Sequence, residues 1–274
     1  MTSGILYICA TPIGNLEDIT LRVLRVLGEV DLIAAEDTRH TAKLLAHYEI
    51  KTPMTSYHEN NREAKGAYLI ERLQNGANVA LVSDSGLPGI SDPGRELVLA
   101  CHEHGIGVTV CPGASAGLAG LVLSGFRARP HVFEGFLPRD KAARRRVLES
   151  QREAPRTVVL YEAPHRLLAT LREMMEILGD RQIALARELT KKFEEISFGA
   201  ISEIIAKLEE RPPRGEFVIV VEGAGEIAPT YPEDIMFHVE QLIAQGHGEK
   251  DAIKMAAKAR GLAKSEVYNK LKRK

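Results

Sequence analysis

The chain has 274 residues, 45% of them hydrophobic and 27% charged, with a formal net charge of −1. These are the proportions of an ordinary globular protein, and the length suits two domains or one large one. No apolar run approaches a membrane span, the first strand starts too early to leave room for a signal peptide, and Cys9, Cys101 and Cys111 form no CxxC pair, so buried reduced thiols in the cytoplasm are expected.

In the first half, apolar runs alternate with amphipathic segments. Ile5–Ala10 reads as a first strand, and Thr11-Pro12-Ile13-Gly14-Asn15-Leu16-Glu17-Asp18 follows it directly. Leu32–Ala35 is a second strand, followed by Glu36-Asp37-Thr38-Arg39 and a helix over Arg39–Tyr48; another helix covers Asn61–Gln74. Val79–Val82 is a third strand. The stretch after it, Ser83-Asp84-Ser85-Gly86-Leu87-Pro88-Gly89-Ile90-Ser91-Asp92-Pro93-Gly94, is too long and too rich in Gly, Pro and Asp for a tight turn. Pro fixes the backbone, Gly admits a close ligand, and Asp accepts from hydroxyl or amino donors. Asp92 is expected to cap the next helix, with Pro93 at its first position. Val108–Cys111 then leads into Pro112-Gly113-Ala114-Ser115-Ala116, a small-residue turn whose backbone N–H groups would face a crevice. This alternation predicts parallel βαβ units. All four loops then fall on the edge of the sheet where open α/β folds bind ligands, and together they point to a nucleotide-like ligand.

After Pro130 the character changes. Gly125–Pro138, with two Pro and two Gly, reads as a hinge. Thr157–Tyr161, Ile183–Arg187, Glu195–Phe198 and Phe217–Val221 read as strands, and the third follows the second too closely for a helical crossover, so a mixed sheet is expected. Ala228-Pro229-Thr230-Tyr231-Pro232 reads as a linker. Beyond it the pattern is helical: Ile253, Ala256 and Ala257 share one apolar face, Gly261 breaks the run, and Val267, Tyr268 and Leu271 share another, as in a helix-turn-helix with a preceding helix. The boundaries expected are 1–124 for an N-terminal α/β domain, 125–227 for a C-terminal α/β domain and 228–274 for a helical extension. From Gly246 onward nine Lys/Arg face three Asp/Glu, and Arg139, Lys141, Arg144, Arg145 and Arg146 form a second basic cluster. Each cluster suits either a polyanion contact or a solvated helix face.

Several common chemistries have no support. There is no GxxxxGK[ST], no GxGxxG after the first strand, no HExxH, no close His/Asp cluster that proposes a metal, and no GxSxG. Instead the loops resemble those of the tetrapyrrole methylase superfamily. More narrowly, they resemble its branch that 2′-O-methylates ribose in small-subunit ribosomal RNA. The motifs are Ala10–Leu16, Ala35–Arg39, Ser83–Pro88, Pro112–Ala116, Phe136–Arg139, Tyr161–Arg166, Arg187–Lys191 and Gly215–Val218, in order over residues 4 to 225. Many superfamily members carry a GxGxG-type first loop and a Gly-Asp-Pro third loop. Here Thr11–Asn15 and Ser83–Gly86 depart from both, as in the ribosomal RNA branch.

The resemblance implies a cleft between two α/β domains that binds S-adenosylmethionine. By motif position the cofactor residues are Pro12, Ser83, Asp84, Leu87, Ser115, Ala116, Glu162, Leu189 and Glu216. It further implies methylation of cytidine 1402 of 16S ribosomal RNA in the small subunit, by a homodimer. A ribose hydroxyl is a weak nucleophile that needs a base or oxyanion-stabilising donors. Glu36, Asp37, Arg39 and Arg166 are the catalytic candidates, with Glu162 and Glu188 also near the expected cleft; structural ion pairing is the other reading of this set. Arg139, Lys141, Arg144, Arg145 and Arg146 are the RNA-binding candidates. Tyr57 and Tyr161 suit either base stacking or core packing. The competing functions are methylation of a tetrapyrrole or other small molecule, and a non-catalytic ribosome-assembly factor.

Overall fold

The computed structural model describes residues 3–225, 234–260 and 262–271. The chain falls into two compact units, Met1–Gly223 and Ala224–Lys274.

The first half of the larger unit runs β1 (Ile5–Cys9), α1 (Leu21–Glu29), β2 (Leu32–Ala35), α2 (Thr38–His47), β3 (Met54–Ser56), α3 (Arg62–Gln74), β4 (Val79–Val82), α4 (Arg95–Glu103), β5 (Gly107–Cys111) and α5 (Ala116–Ser124). Its five strands form a wholly parallel sheet in the order β3-β2-β4-β1-β5. The four predicted strands are present to within one residue. Strand β3 is an addition, three half-buried residues too short to leave an alternation. A parallel sheet needs both faces covered. On α1 the i, i+3, i+4 spacing of Val23, Val26 and Leu27 supplies one cover, joined by Leu45 of α2. Leu69 and Leu73 of α3 with Leu97 and Cys101 of α4 cover the other face, where Tyr57 is also packed at 1% exposure. Tyr57 is therefore a core residue and offers no stacking platform.

The second half runs β6 (His131–Phe136), α6 (Lys141–Ser150), β7 (Thr157–Glu162), α7 (Pro164–Leu178), β8 (Gln182–Arg187), β9 (Glu195–Ala200), α8 (Ile201–Glu210) and β10 (Phe217–Val221). Its sheet order is β6-β7-β10-β8-β9, parallel only between β6 and β7, so the mixed sheet is present. Strand β6 occupies the segment read as a hinge. Gly135, at φ +64°, bulges it out of register with β7, and this irregular edge strand hides the period-2 signal. Helices α6, α7 and α8 bury Leu148, Leu167, Leu171 and Ile204 on one face. The other face is covered by α5, which follows β5 in the chain but packs Leu121 on Val218 and Val220. Glycine is required there: a Cβ on Gly120 would lie 2.8 Å from Val218 Cγ1.

The smaller unit holds α9 (Ile235–Ala244), α10 (Glu249–Ala259) and α11 (Lys264–Leu271), packed around Val239, Ile253, Ala256, Ala257 and Val267. Tyr268 is exposed. The predicted linker, Gly261 and the side chain of Leu271 lie outside the described residues. Among the described residues no helix is long and apolar enough to cross a membrane.

Candidate active site

The carboxyl ends of β1, β2, β4 and β5 are followed by the four loops singled out above, and these meet one edge of the second sheet around a cavity of about 400 Å³. The loops are tied to one another. Thr11 and Gly86 exchange backbone hydrogen bonds of 2.8 and 3.1 Å, and Thr11 Oγ1 donates to the Ser83 carbonyl. The Ser83 hydroxyl, 2% exposed, lies within 3.3 and 3.4 Å of the Ser85 and Gly86 carbonyls, inside the turn it shapes. Gly86, Gly89 and Gly94 adopt φ of +77°, +80° and +156°. The expected cap at Asp92 is not formed: α4 starts two residues later with Gly94 at its N-cap, because the loop folds back until the Gly89 and Gly94 backbones nearly touch. Asp92 instead lines the cavity.

Asp92 belongs to a wall of three carboxylates with Glu36 and Asp84. Glu36 Oε2 accepts from the Asp84 N–H at 3.3 Å, and Asp84 Oδ1 accepts from the Asp37 N–H at 3.1 Å. Burial pushes the Glu36 carboxyl above its ordinary value, and the neighbouring Asp92 and Asp84 charges add to the rise; only the Asp84 N–H and His58 oppose it. Burial raises Asp92 too, with Asp84 contributing and a hydrogen bond from Ser83 opposing. His58 follows β3 and is held by Asn61. Asn61 Oδ1 accepts from the His58 N–H at 2.8 Å, which fixes the amide orientation, and Nδ2 then lies 3.2 Å from His58 Nε2. His58 Nδ1 is buried and has no hydrogen-bond partner among the described residues.

The opposite wall comes from the second sheet, and its acids are tied down. Glu162, 2% exposed, accepts from the Ala163 N–H at 2.8 Å and from Thr170 Oγ1 at 2.7 Å, with Arg166 Nε at 3.3 Å. Glu188 Oε1 accepts from the Glu216 N–H and from Lys191 Nζ, both at 3.0 Å, and Lys191 also reaches Glu216 at 2.9 Å. Burial alone would raise the Glu188 carboxyl, but these donors outweigh it and hold it below the ordinary value. Glu188 and Thr190 take positive φ of 52° and 64°, turning Leu189 between them into the cavity. Gly14 of the first loop sits on this turn, where a Cβ would lie 2.8 Å from the Leu189 carbonyl oxygen. Tyr161 completes the wall. Its hydroxyl accepts from the Gly117 N–H at 2.9 Å, and Phe133 and Phe136 pack edge-on against its ring.

Of the nine residues expected at a cofactor, Asp84, Leu87, Ser115, Ala116, Glu162, Leu189 and Glu216 line this cavity; Pro12 and Ser83 do not. Ser115 is the N-cap of α5, yet its hydroxyl makes no capping bond. Of the catalytic candidates Glu36 lines the cavity. Asp37 is turned to Arg39, receiving its Nη2 at 2.6 Å, and these exposed donors hold its carboxyl well below the usual range. Arg166 donates to the Leu137 carbonyl at 3.0 Å behind the wall. The basic cluster is uneven: Arg144 is paired with buried Glu173 at 2.5 Å, Arg145 with Glu176 and Glu149, while Arg139, Lys141 and Arg146 are exposed. Asp92, Phe136 and Phe217 fall inside the loops and motifs singled out above without being named there as site residues, and His58 lies outside them. No local signal marks His58, because the strand before it is too short to leave an alternation.

Residues 5–205 match the family described as tetrapyrrole (corrin/porphyrin) methylases. The chain belongs to that family. A protein of Bacillus subtilis named ribosomal RNA small subunit methyltransferase I is 50% identical over 97% of this chain and 93% of its own length. One of the same name from Halalkalibacterium halodurans is 47% identical over 97% and 94%. The crystal structure of uroporphyrin-III-C-methyltransferase from Thermus thermophilus superposes with a TM-score of 0.57 at 23% identity, covering 81% of this chain and 94% of that one, a likeness of fold. The protein is a methyltransferase, and its site has to accept a methyl donor.

Proposed function

We propose that this chain transfers the methyl group of S-adenosylmethionine to the ribose 2′-hydroxyl of cytidine 1402 in 16S ribosomal RNA, on the small ribosomal subunit in the cytoplasm. The observation that carries the reading is the identity of about half with proteins named for that RNA over 97% of the chain, helical unit included. The residues of the cavity fit the donor. Its volume lies in the ~300–1,000 Å³ range of small-ligand sites. Three carboxylates on one wall suit a cationic ligand bearing hydroxyl and amino donors. Asp84 and the uncommitted Ser115 hydroxyl would hold it with the backbone at Ala116, Leu87 and Leu189 would flank it, and Pro12 and Ser83 would act by setting the loops.

When bound, the donor supplies an electrophilic methyl on a sulfonium, so the protein's work is to position, exclude water and manage one proton. Glu36 is the group for the proton: burial makes it a stronger base than a free carboxylate, and it faces the cavity. The His58 ring, whose buried Nδ1 has no partner among the described residues, offsets part of that rise in basicity. The exposed Arg139, Lys141 and Arg146 are available for RNA phosphates. A homodimer is supported by the apolar residues that α5 leaves exposed, Leu118 at 56% and Val122 at 76%.

The test is incubation of the purified protein and labelled S-adenosylmethionine with small subunits lacking the modification, with free 16S RNA and a tetrapyrrole as parallel arms. Mass spectrometry of the digested RNA should find 2′-O-methylcytidine at position 1402. Label on a base, at another nucleotide, or on the tetrapyrrole alone overturns the reading.

A further inference from the structure

A second cavity, of about 560 Å³, opens at the same edge of the second sheet and lies outside the set assigned above. In the antiparallel register Phe217, the first residue of β10, pairs with Glu162 at the end of β7 and with Arg187 at the end of β8. All three therefore mark the edge that faces the donor cavity. Phe217 lines both cavities, so this residue lies at the partition, its side chain in the apolar cluster of Leu185 and Ile204. The loop into β10 runs from one to the other: Arg214 lines the second cavity and Glu216 the first. Two residues span at most ~7 Å of chain. This loop is fixed, because Glu188 holds the Glu216 N–H and packs against Gly215, where a Cβ would lie 2.5 Å from Glu188 Oε1.

The second cavity has two kinds of surface. Its floor is apolar, with Leu185 and Phe217 only 4% and 3% exposed and Leu208 beside them. Its rim carries Lys207, Arg211 and Arg214, all exposed and none in an ion pair among the described residues. Arg187, a fourth cation, is spent on Glu195 at 3.3 Å and on the Arg214 carbonyl at 2.7 Å. Glu210 is the remaining carboxylate of the lining, so the rim is positive in balance. An apolar floor under a cationic rim matches a nucleotide, with a flat base to bury and a phosphate to neutralise. A free nucleotide satisfies the chemistry but not the placement. A chain whose ribose enters the donor cavity must set its next nucleotide within one residue step of the partition, and this cavity lies there.

We propose that this cavity is a subsite for an unpaired nucleotide next to the methylated one, the base seated over Phe217 and Leu208 and the phosphate held by Lys207, Arg211 and Arg214. The proposal rests on the RNA-methylation reading. It separates base recognition, beyond Phe217, from methyl transfer on the near side.

The test uses the full chain with Lys207, Arg211 and Arg214 replaced together by Ala; all three are exposed and their side chains make no internal hydrogen bond among the described residues. On small subunits KM should rise about tenfold or more with kcat within twofold, donor affinity should stay unchanged, and the log–log salt slope of binding should flatten by about one unit per lost contact. A photocrosslinking residue in place of Arg211 should label RNA within two nucleotides of the methylated one. Unchanged KM and salt slope, or a crosslink to a ribosomal protein or to distant RNA, overturns the subsite while the methylation reading stands. Failure of the unaltered protein to methylate small subunits removes both.

Discussion

The two walls of the donor cavity carry acids in opposite condition. On the wall from the first sheet, Glu36, Asp84 and Asp92 face one another with few donors, and burial lifts the Glu36 and Asp92 carboxyls. On the wall from the second, Glu162 is saturated by Thr170, Arg166 and the Ala163 N–H, while Glu188, outside the lining, is saturated by Lys191 and the Glu216 N–H. A buried carboxylate without partners is costly to ionise and is open to an external cation or proton; one that is saturated holds the fold together. Lining the same cavity is therefore no guide to role, and the count of internal donors separates the two cases.

The sharpest test of that contrast is Glu36→Gln. It should lower kcat by about 10²–10⁴-fold, the usual range for loss of a general base, with donor affinity nearly unchanged. In the unaltered protein activity should rise as pH climbs through a Glu36 value above the ordinary carboxylate one, because the base works only when deprotonated. A raised carboxyl also favours folding at low pH, and that contribution is lost as pH rises, so the Gln variant should melt at neutral pH no lower than the parent. A substantially lower melting temperature would move Glu36 into the structural class. Glu162→Ala should do the reverse. Removing one partner of a buried ion pair costs about 3–5 kcal/mol, and calorimetry should show it as lost stability; an unperturbed melt with lost donor binding would break the comparison from the other side.

Asp84→Ala should weaken donor binding by roughly 10- to 100-fold, since hydrogen bonds to charged groups contribute ~1.5–3 kcal/mol. Titration calorimetry with S-adenosylmethionine measures it, and unchanged affinity would mean the acidic wall does not touch the donor. The smallest effect is expected from removing residues 228–274. That unit has its own apolar core, so donor affinity should stay within twofold while binding to the small subunit weakens. Loss of donor binding on truncation would extend the site beyond its two walls.

Much of this was legible in the chain because strand ends and glycine-rich loops are local signals. Leu32–Ala35, Val79–Val82 and Phe217–Val221 are strands with the predicted bounds, and the parallel pattern alone puts Glu36, Asp84 and Ser115 on one sheet edge. What escaped depends on distant partners or irregular backbone. Nothing near Arg144 announces Glu173, 29 positions on, and nothing near Asp92 shows that Gly94 will take over its cap. Gly135 disguises β6. The donors that quiet Glu162 lie within eight residues of it, but only the folded α7 turns Thr170 toward it.

Helix α5 carries a consequence for how the protein comes apart. It leaves the parallel sheet and covers a face of the mixed one, with Leu121 and Gly120 against Val218. The mixed sheet therefore keeps this cover only while α5 is held in place behind β5. Residues 1–223 should then melt in one all-or-none step, with calorimetric and van't Hoff enthalpies equal, despite holding two sheets. Severing the chain after Ser124 should yield two fragments that regain structure only when mixed.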